Sequence, residues 1–172
     1  MLPITTAGRR ASGLRVRLPV GEDGVVKIVE LCNRPTYLGT IIDWNLKAWP
    51  KPDRNQDEVK LRIFGKGIGN QLPQTLILEE KDEPIGYSTL IYYEKGLLTG
   101  RLHWIDAVYV KPERRKKGLG SKLIRAAEKK AGELNISELF ALTDLPVLYH
   151  KLGWSTVEAH SDGTIVSKRI GS

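Results

Sequence analysis

An α/β (α+β) fold, with a mixed and mostly antiparallel central sheet flanked by helices on both faces, is what this sequence predicts. Three observations predict it. Segments with helical spacing of apolar residues come first, then a run of β-rich segments separated by short turns; a strongly amphipathic helix next stands between two strands; and the chain closes on a short helix and a hairpin pattern. At 172 residues one such domain accounts for the chain, because a core of this size already buries about two thirds of the surface its unfolded form would expose.

The elements follow in order. Met1 to Gly13 are small, polar and basic without periodicity and read as a flexible tail, which leaves residues 14–172 as the single domain. Residues 14–20 and 25–31 are β-rich runs around Gly21, Glu22, Asp23 and Gly24, and that turn chemistry suggests a hairpin. Residues 35–49 place Leu38, Ile41, Ile42, Leu46 and Trp49 along one helical stripe, and Pro50 and Pro52 stop it. A second helix starts after Asp53 or Asn55 and runs through Val59, Leu61 and Ile63 into Gly65, Gly67 and Gly69. No β-run feeds those glycines, so they read as a connection and not as a nucleotide loop.

Strands are then expected at residues 76–78 and 85–93, paired as a hairpin across Lys81, Asp82 and Glu83, and at 103–110. The clearest helix covers residues 119–134, with Leu119, Leu123, Ala127, Ala131 and Leu134 on one face and Lys122, Arg125, Lys129 and Lys130 elsewhere. A strand at 137–142, a short helix at 146–152 and strands at 155–159 and 164–170 complete the domain.

Composition bounds the function. Hydrophobic residues at 41% and charged residues at 27% suit a packed globular domain and argue against disorder. No apolar run reaches the roughly 18 residues a bilayer span requires, and no signal-like stretch opens the chain, so a cytoplasmic location without a membrane partner is expected. The single cysteine, Cys32, forms no internal disulfide and fits a reducing compartment. A formal net charge of +7 suits a polyanionic partner: nucleic acid, an acidic membrane face or a small multiply phosphorylated ligand.

One segment chooses among them. Val108, Tyr109 and Val110 end a strand, Lys111 to Lys117 form a basic turn, and Gly118, Leu119, Gly120 and Ser121 open the long helix. The unpaired N–H groups of a first helical turn, with the helix dipole behind them, favour an anion, and glycines let a pyrophosphate approach the backbone. Arg115, Lys116 and Lys117 add charge around it. The nucleotide P-loop fails here, since no Gly-Lys is followed by Ser or Thr, and the dinucleotide fingerprint fails because its third glycine would fall at Leu123.

What remains, Arg115, two residues, Gly118, one residue, Gly120, after a strand ending in Val110, resembles the pantetheine and pyrophosphate signature of the Gcn5-related N-acetyltransferase (GNAT) superfamily. The resemblance extends from about Leu72 to Trp154. It includes the Ile85, Gly86 pair and the block Leu148, Tyr149, His150, Lys151, Leu152, Gly153, Trp154, which is similar to the family's tyrosine-containing helix and Gly-aromatic turn.

The resemblance implies a GNAT-like fold with acetyl-CoA as cosubstrate and no metal. Its acetyl group would pass to a primary amine, on a small molecule or on a protein N-terminus or lysine, by direct attack in a ternary complex. A backbone donor among Val108, Tyr109 and Val110, where the family's strand splays from its neighbour, would stabilise the thioester oxygen. Tyr149 matches the family's proton donor to the departing thiolate, with the adjacent His150 as a minor alternative. Asp106 is the first candidate base, directly or through water, because period-two counting puts it on the face of Val108 and Val110; His103 falls on the other face. The need for a base depends on the acceptor, since an alkylammonium of pKa about 10.4 is rarely neutral at pH 7 whereas an α-amine near about 7.7–8.0 often is. His103, His150, His160 and Cys32 share no metal-ligand spacing.

Two rivals stand beside this reading. The same turn could serve a catalytically silent acetyl-CoA or CoA sensor. A nucleic-acid binder would use the positive charge and Trp44, Trp49, Trp104 and Trp154 as stacking platforms, although these fit a core or an aromatic wall beside an acceptor groove better.

Overall fold

The computed structural model describes residues 24–64, 71–93, 100 and 103–171. The tail, the strand expected at 14–20 and Gly65, Gly67 and Gly69 lie outside the described residues. Among the described residues seven strands, β1 (Lys27–Glu30), β2 (Gln74–Glu80), β3 (Glu83–Tyr92), β4 (His103–Val110), β5 (Glu138–Thr143), β6 (Ser155–His160) and β7 (Gly163–Arg169), form one sheet in the order β1-β2-β3-β4-β5-β7-β6. The β4–β5 pair is parallel and the others antiparallel. The described residues add the α-helices α1 (Leu38–Ala48), α2 (Gln56–Ile63), α3 (Leu119–Glu133) and α4 (Pro146–His150). The mixed, mostly antiparallel sheet expected from the pattern is what forms, and β1 pairs with β2.

Local chemistry sets the element ends. Pro35 opens a 3-10 turn that leads into α1. Asn55 caps α2, its Oδ1 accepting from Glu58 N–H at 2.9 Å. Lys81 and Asp82 both take positive φ, 51° and 58°, as a two-residue hairpin that follows the sheet twist demands. Asn135, at φ 57°, ends α3 and lets Ile136 N–H return to Ala131 O at 2.9 Å.

The helices bury one stripe each. Ile41 and Ile42 of α1 and Val59 and Ile63 of α2 pack on Ile77, Tyr87 and Ala107 on one face of the sheet. Ile124, Ala127 and Ala131 of α3, with Tyr149 of α4, pack on Leu76, Leu90, Ile105 and Leu139 on the other. Two apolar positions assigned to helical stripes depart from expectation. Leu61 is 71% exposed, because two residues from Val59 is about 200° of turn. Trp49 follows the last residue of α1 and is 38% exposed.

A buried carboxylate ties the chain entry to the sheet. Glu79, fully buried, accepts from Lys27 Nζ (2.7 Å), Arg34 Nε (2.7 Å) and Tyr37 Oη (2.8 Å). The hydrogen-bonded Arg34 and then Lys27 push its pKa down to about 2.

Candidate functional site

β4 decides the geometry. It pairs with β5 only at Trp104 and Ile105, although it runs on to Val110, so the two strands separate from Asp106 onward. Against β3 the register slips between Thr89 and Leu90, which oppose Ala107 and Ile105 and leave Asp106 as the extra residue of a β-bulge. Lys111 N–H donates to Ile85 O on β3 at 3.0 Å. Alternation then turns the N–H groups of Val110 and Val108 towards the gap beside β5.

The bulge corrects the expectation for Asp106. Val108 packs with the α3 side of the sheet, whereas Ala107 and Tyr109 pack with α1 and α2. Asp106 meets Arg62 of α2, so it too faces the α2 side, opposite Val108 and Val110. Arg62 binds it through both ends of the fork, Nε–Oδ2 at 2.7 Å and Nη2–Oδ1. Period-two counting fails because one inserted residue shifts the alternation. His103 sits at the far end of β4, edge-on to Tyr92 at 5.4 Å, and burial holds it below the usual imidazole range.

Beyond β4 the basic turn is pinned at two points. Arg114 grips the buried Glu80 with Nη1–Oε2 at 2.5 Å and Nη2–Oε1 at 2.6 Å. Arg115 Nε donates to Val110 O at 2.9 Å, and its guanidinium lies 5.8 Å from the Tyr109 ring centre. Arg115 therefore braces the strand end. Lys116 (φ 60°) and Gly118 (φ 76°) both take left-handed conformations. At Gly118 a Cβ would meet nothing within 4 Å, so glycine answers a backbone requirement there and not a steric one.

Gly118 stands at the N-cap of α3 with no side-chain cap, and the first intrahelical bond runs from Lys122 N–H to Gly118 O at 3.1 Å. The N–H groups of Leu119, Gly120 and Ser121 are left with no partner in the helix. Lys116 and Lys117 are exposed beside them.

α4 lies across the gap: an added Cβ on Gly120 would sit 3.7 Å from Leu148 Cδ2. Tyr149 is 5% exposed and meets the Trp154 ring edge-on at 5.1 Å. Its hydroxyl makes no hydrogen bond among the described residues, and burial pushes its pKa well above the usual phenol range. His150 is exposed, with Nε2 2.8 Å from Thr156 Oγ1.

On the α2 side of the gap opens a cleft of about 360 Å³, lined by Asn45, Trp49, Arg54, Arg62, Trp104, Asp106, Asp144 and Asp162 among others. Trp49 is the one tryptophan there that stands exposed. Trp44 stacks on Tyr109 at 5.1 Å, Trp104 packs against Phe140, and Trp154 is buried with Nε1–H donating to Glu128 at 2.7 Å. Arg54, Arg62, Asp144 and Asp162 carry no sequence signal of a site; only folding gathers them. Among the described residues no three His, Cys, Asp or Glu side chains are arranged to hold a metal, and no helix is long and apolar enough to cross a membrane.

The profile of the acetyltransferase (GNAT) family matches residues 38–154. No curated protein matches significantly. Solved structures share the fold. N-acetylglutamate synthase from Neisseria gonorrhoeae, complexed with coenzyme A and N-acetyl-glutamate, superposes with TM-score 0.61 and 17% identity over 88% of this chain and 36% of its own, so this chain spans about a third of that protein's length. Aminoglycoside 6'-N-acetyltransferase from Enterococcus faecium gives 0.63 and 19% over 85% and 98%. A GNAT-family acetyltransferase from Streptococcus pneumoniae gives 0.62 and 17% over 86% and 100%.

Proposed function

The chain belongs to the acetyltransferase (GNAT) family, and on that premise we propose that it moves an acetyl group from acetyl-CoA to a primary amine by direct attack in a ternary complex. The supporting observation is the opening between β4 and β5, flanked at one end by three uncapped amides of α3 and at the other by the buried Tyr149. An unpaired helix N-terminus with exposed lysines beside it fits a diphosphate, and an unpaired strand edge fits the amide-bearing arm that follows.

The geometry supports the following roles. Leu119, Gly120 and Ser121 hold the diphosphate through N–H groups, with Lys116 and Lys117 adding charge. Val108 and Val110 turn their amides into the gap, where they hydrogen-bond the pantetheine arm and the thioester oxygen as it gains charge. Tyr109 and Arg115 keep that strand end in place. Acetyl-CoA supplies the acyl group as an activated thioester. The neutral amine forms a bond to the carbonyl carbon while the carbon–sulfur bond breaks, and Tyr149, kept protonated by burial, hydrogen-bonds the departing sulfur and passes it a proton that water then restores to the phenol. The surplus proton of the amine leaves through water in the open cleft, with Asp106 as its nearest carboxylate on the strand. The fork of Arg62 engages both carboxylate oxygens of Asp106, so water carries the proton away, and acceptors whose amine is already partly neutral react best.

Calorimetry with coenzyme A, followed by thiol release from acetyl-CoA against amines, peptides and aminoglycosides, tests this reading. No heat with coenzyme A would remove its basis.

A further inference from the structure

Resting on the transfer proposed above, we infer that the acceptor is a small zwitterion, a molecule carrying a carboxylate as well as the amine that is acetylated. The cleft on the α2 side has walls of opposite charge. On one wall stand the exposed Lys51 and the half-buried Arg54, both in the connection between α1 and α2, and of the two Arg54 is the one fixed by hydrogen bonds. Its Nη1 reaches only neutral acceptors, Asn45 Oδ1 at 3.2 Å and Trp49 O at 3.4 Å, and it makes no ion pair among the described residues. Arg62, in the same cleft, differs because Asp106 takes its charge.

The other wall carries Asp144, just past β5, and Asp162, in the turn between β6 and β7. Gly163 brings them together. At φ 138° it lies so close to the end of β5 that an added Cβ would be 2.9 Å from Thr143 O and 3.3 Å from Asp144 Oδ1. Neither carboxylate forms an ion pair among the described residues; Asp162 accepts only from Ser161 Oγ at 3.3 Å. The β4–β5 register sets which wall faces the reacting strand. Ile105 is level with Ala141 and β5 ends at Thr143, so Asp144 lies on the β5 side of the opening, beyond the last paired residues.

A simple amine would answer the two aspartates and leave Arg54 without a counter-charge. A carboxylate on the same molecule gives the guanidinium a planar, bidentate partner at the far wall, while the aspartates draw the amino end towards the β5 side of the opening. About 360 Å³ holds a ligand of amino-acid size, and Trp49 offers it an apolar edge.

The test pairs amino acids with their decarboxylated amines: L-lysine with cadaverine, L-ornithine with putrescine, and L-phenylalanine with phenethylamine. The expected result is a preference of at least about tenfold in kcat/KM for the amino acid of a productive pair. Arg54→Gln should erase that preference by lowering kcat/KM for the amino acid far more than for its decarboxylated partner, and Asp144→Asn should weaken both members by a similar factor. Equal rates within every pair, or an equal loss on both members in Arg54→Gln, overturns the inference. If coenzyme A binds but no amine is acetylated, the transfer reading fails by itself. Ligand-observed NMR with coenzyme A present then decides the cleft: amino acids but not their decarboxylated partners bind if the inference holds, and binding of both or of neither overturns it.

Discussion

At the scale of single residues, burial sets the protonation state on which the role proposed for Tyr149 depends. A phenol pushed upward by burial stays protonated near neutral pH, so what it offers the departing sulfur is a hydrogen bond from its O–H, with the proton itself passing only if another replaces it. Tyr149→Phe keeps the ring that meets Trp154 edge-on, so coenzyme A affinity by calorimetry should stay unchanged while kcat falls on the order of 10²-fold. An unchanged kcat would dismiss Tyr149 as the donor. Asp106 carries the opposite lesson: a carboxylate gripped by both arms of Arg62 is a fixed part of the cleft wall before it is a base.

At the scale of elements, β4 and its neighbours do the positioning. Gly86 of β3 lies where β4 passes so closely that a Cβ would be 2.6 Å from Tyr109 O, a backbone atom. Gly86→Ala is expected to cost about 1–3 kcal/mol of folding free energy, read by urea unfolding; a neutral result would show that β4 can shift. Glu79 ties β1 and the turns before α1 to β2, and its pKa lies at about 2 against an ordinary 4.5. A lowered carboxylate stabilises the fold fully above its unfolded pKa and loses that contribution as pH falls through the folded one. The stability gap between wild type and Glu79→Gln should therefore be full at pH 7 and shrink between about pH 4.5 and 2. A gap independent of pH would refute the ionic role.

At the scale of the whole molecule, binding and folding are linked. Coenzyme A at 100 times its Kd should add about 2.7 kcal/mol to stability and raise Tm by about 5–10 °C in a chain of this length. A melting curve unmoved by saturating coenzyme A would contradict the binding reading. The sequence by itself determined the order and type of most elements, since apolar period, proline stops and turn residues act over a few neighbours: residues 103–110 and the start of the long helix at Leu119 coincide with the observed bounds. It also marked the glycine-bearing turn that opens α3, because a helix N-terminus needs only contiguous backbone and glycine. Tertiary structure alone decided the rest. The bulge that turns Asp106 away from Val108 arises from register against β3, the opening beside Val110 from where β5 stops pairing, and the two-signed cleft from Arg54, Asp144 and Asp162, which lie up to 108 residues apart in the chain. Such features depend on which distant strands meet and at which residue, and no local pattern encodes that.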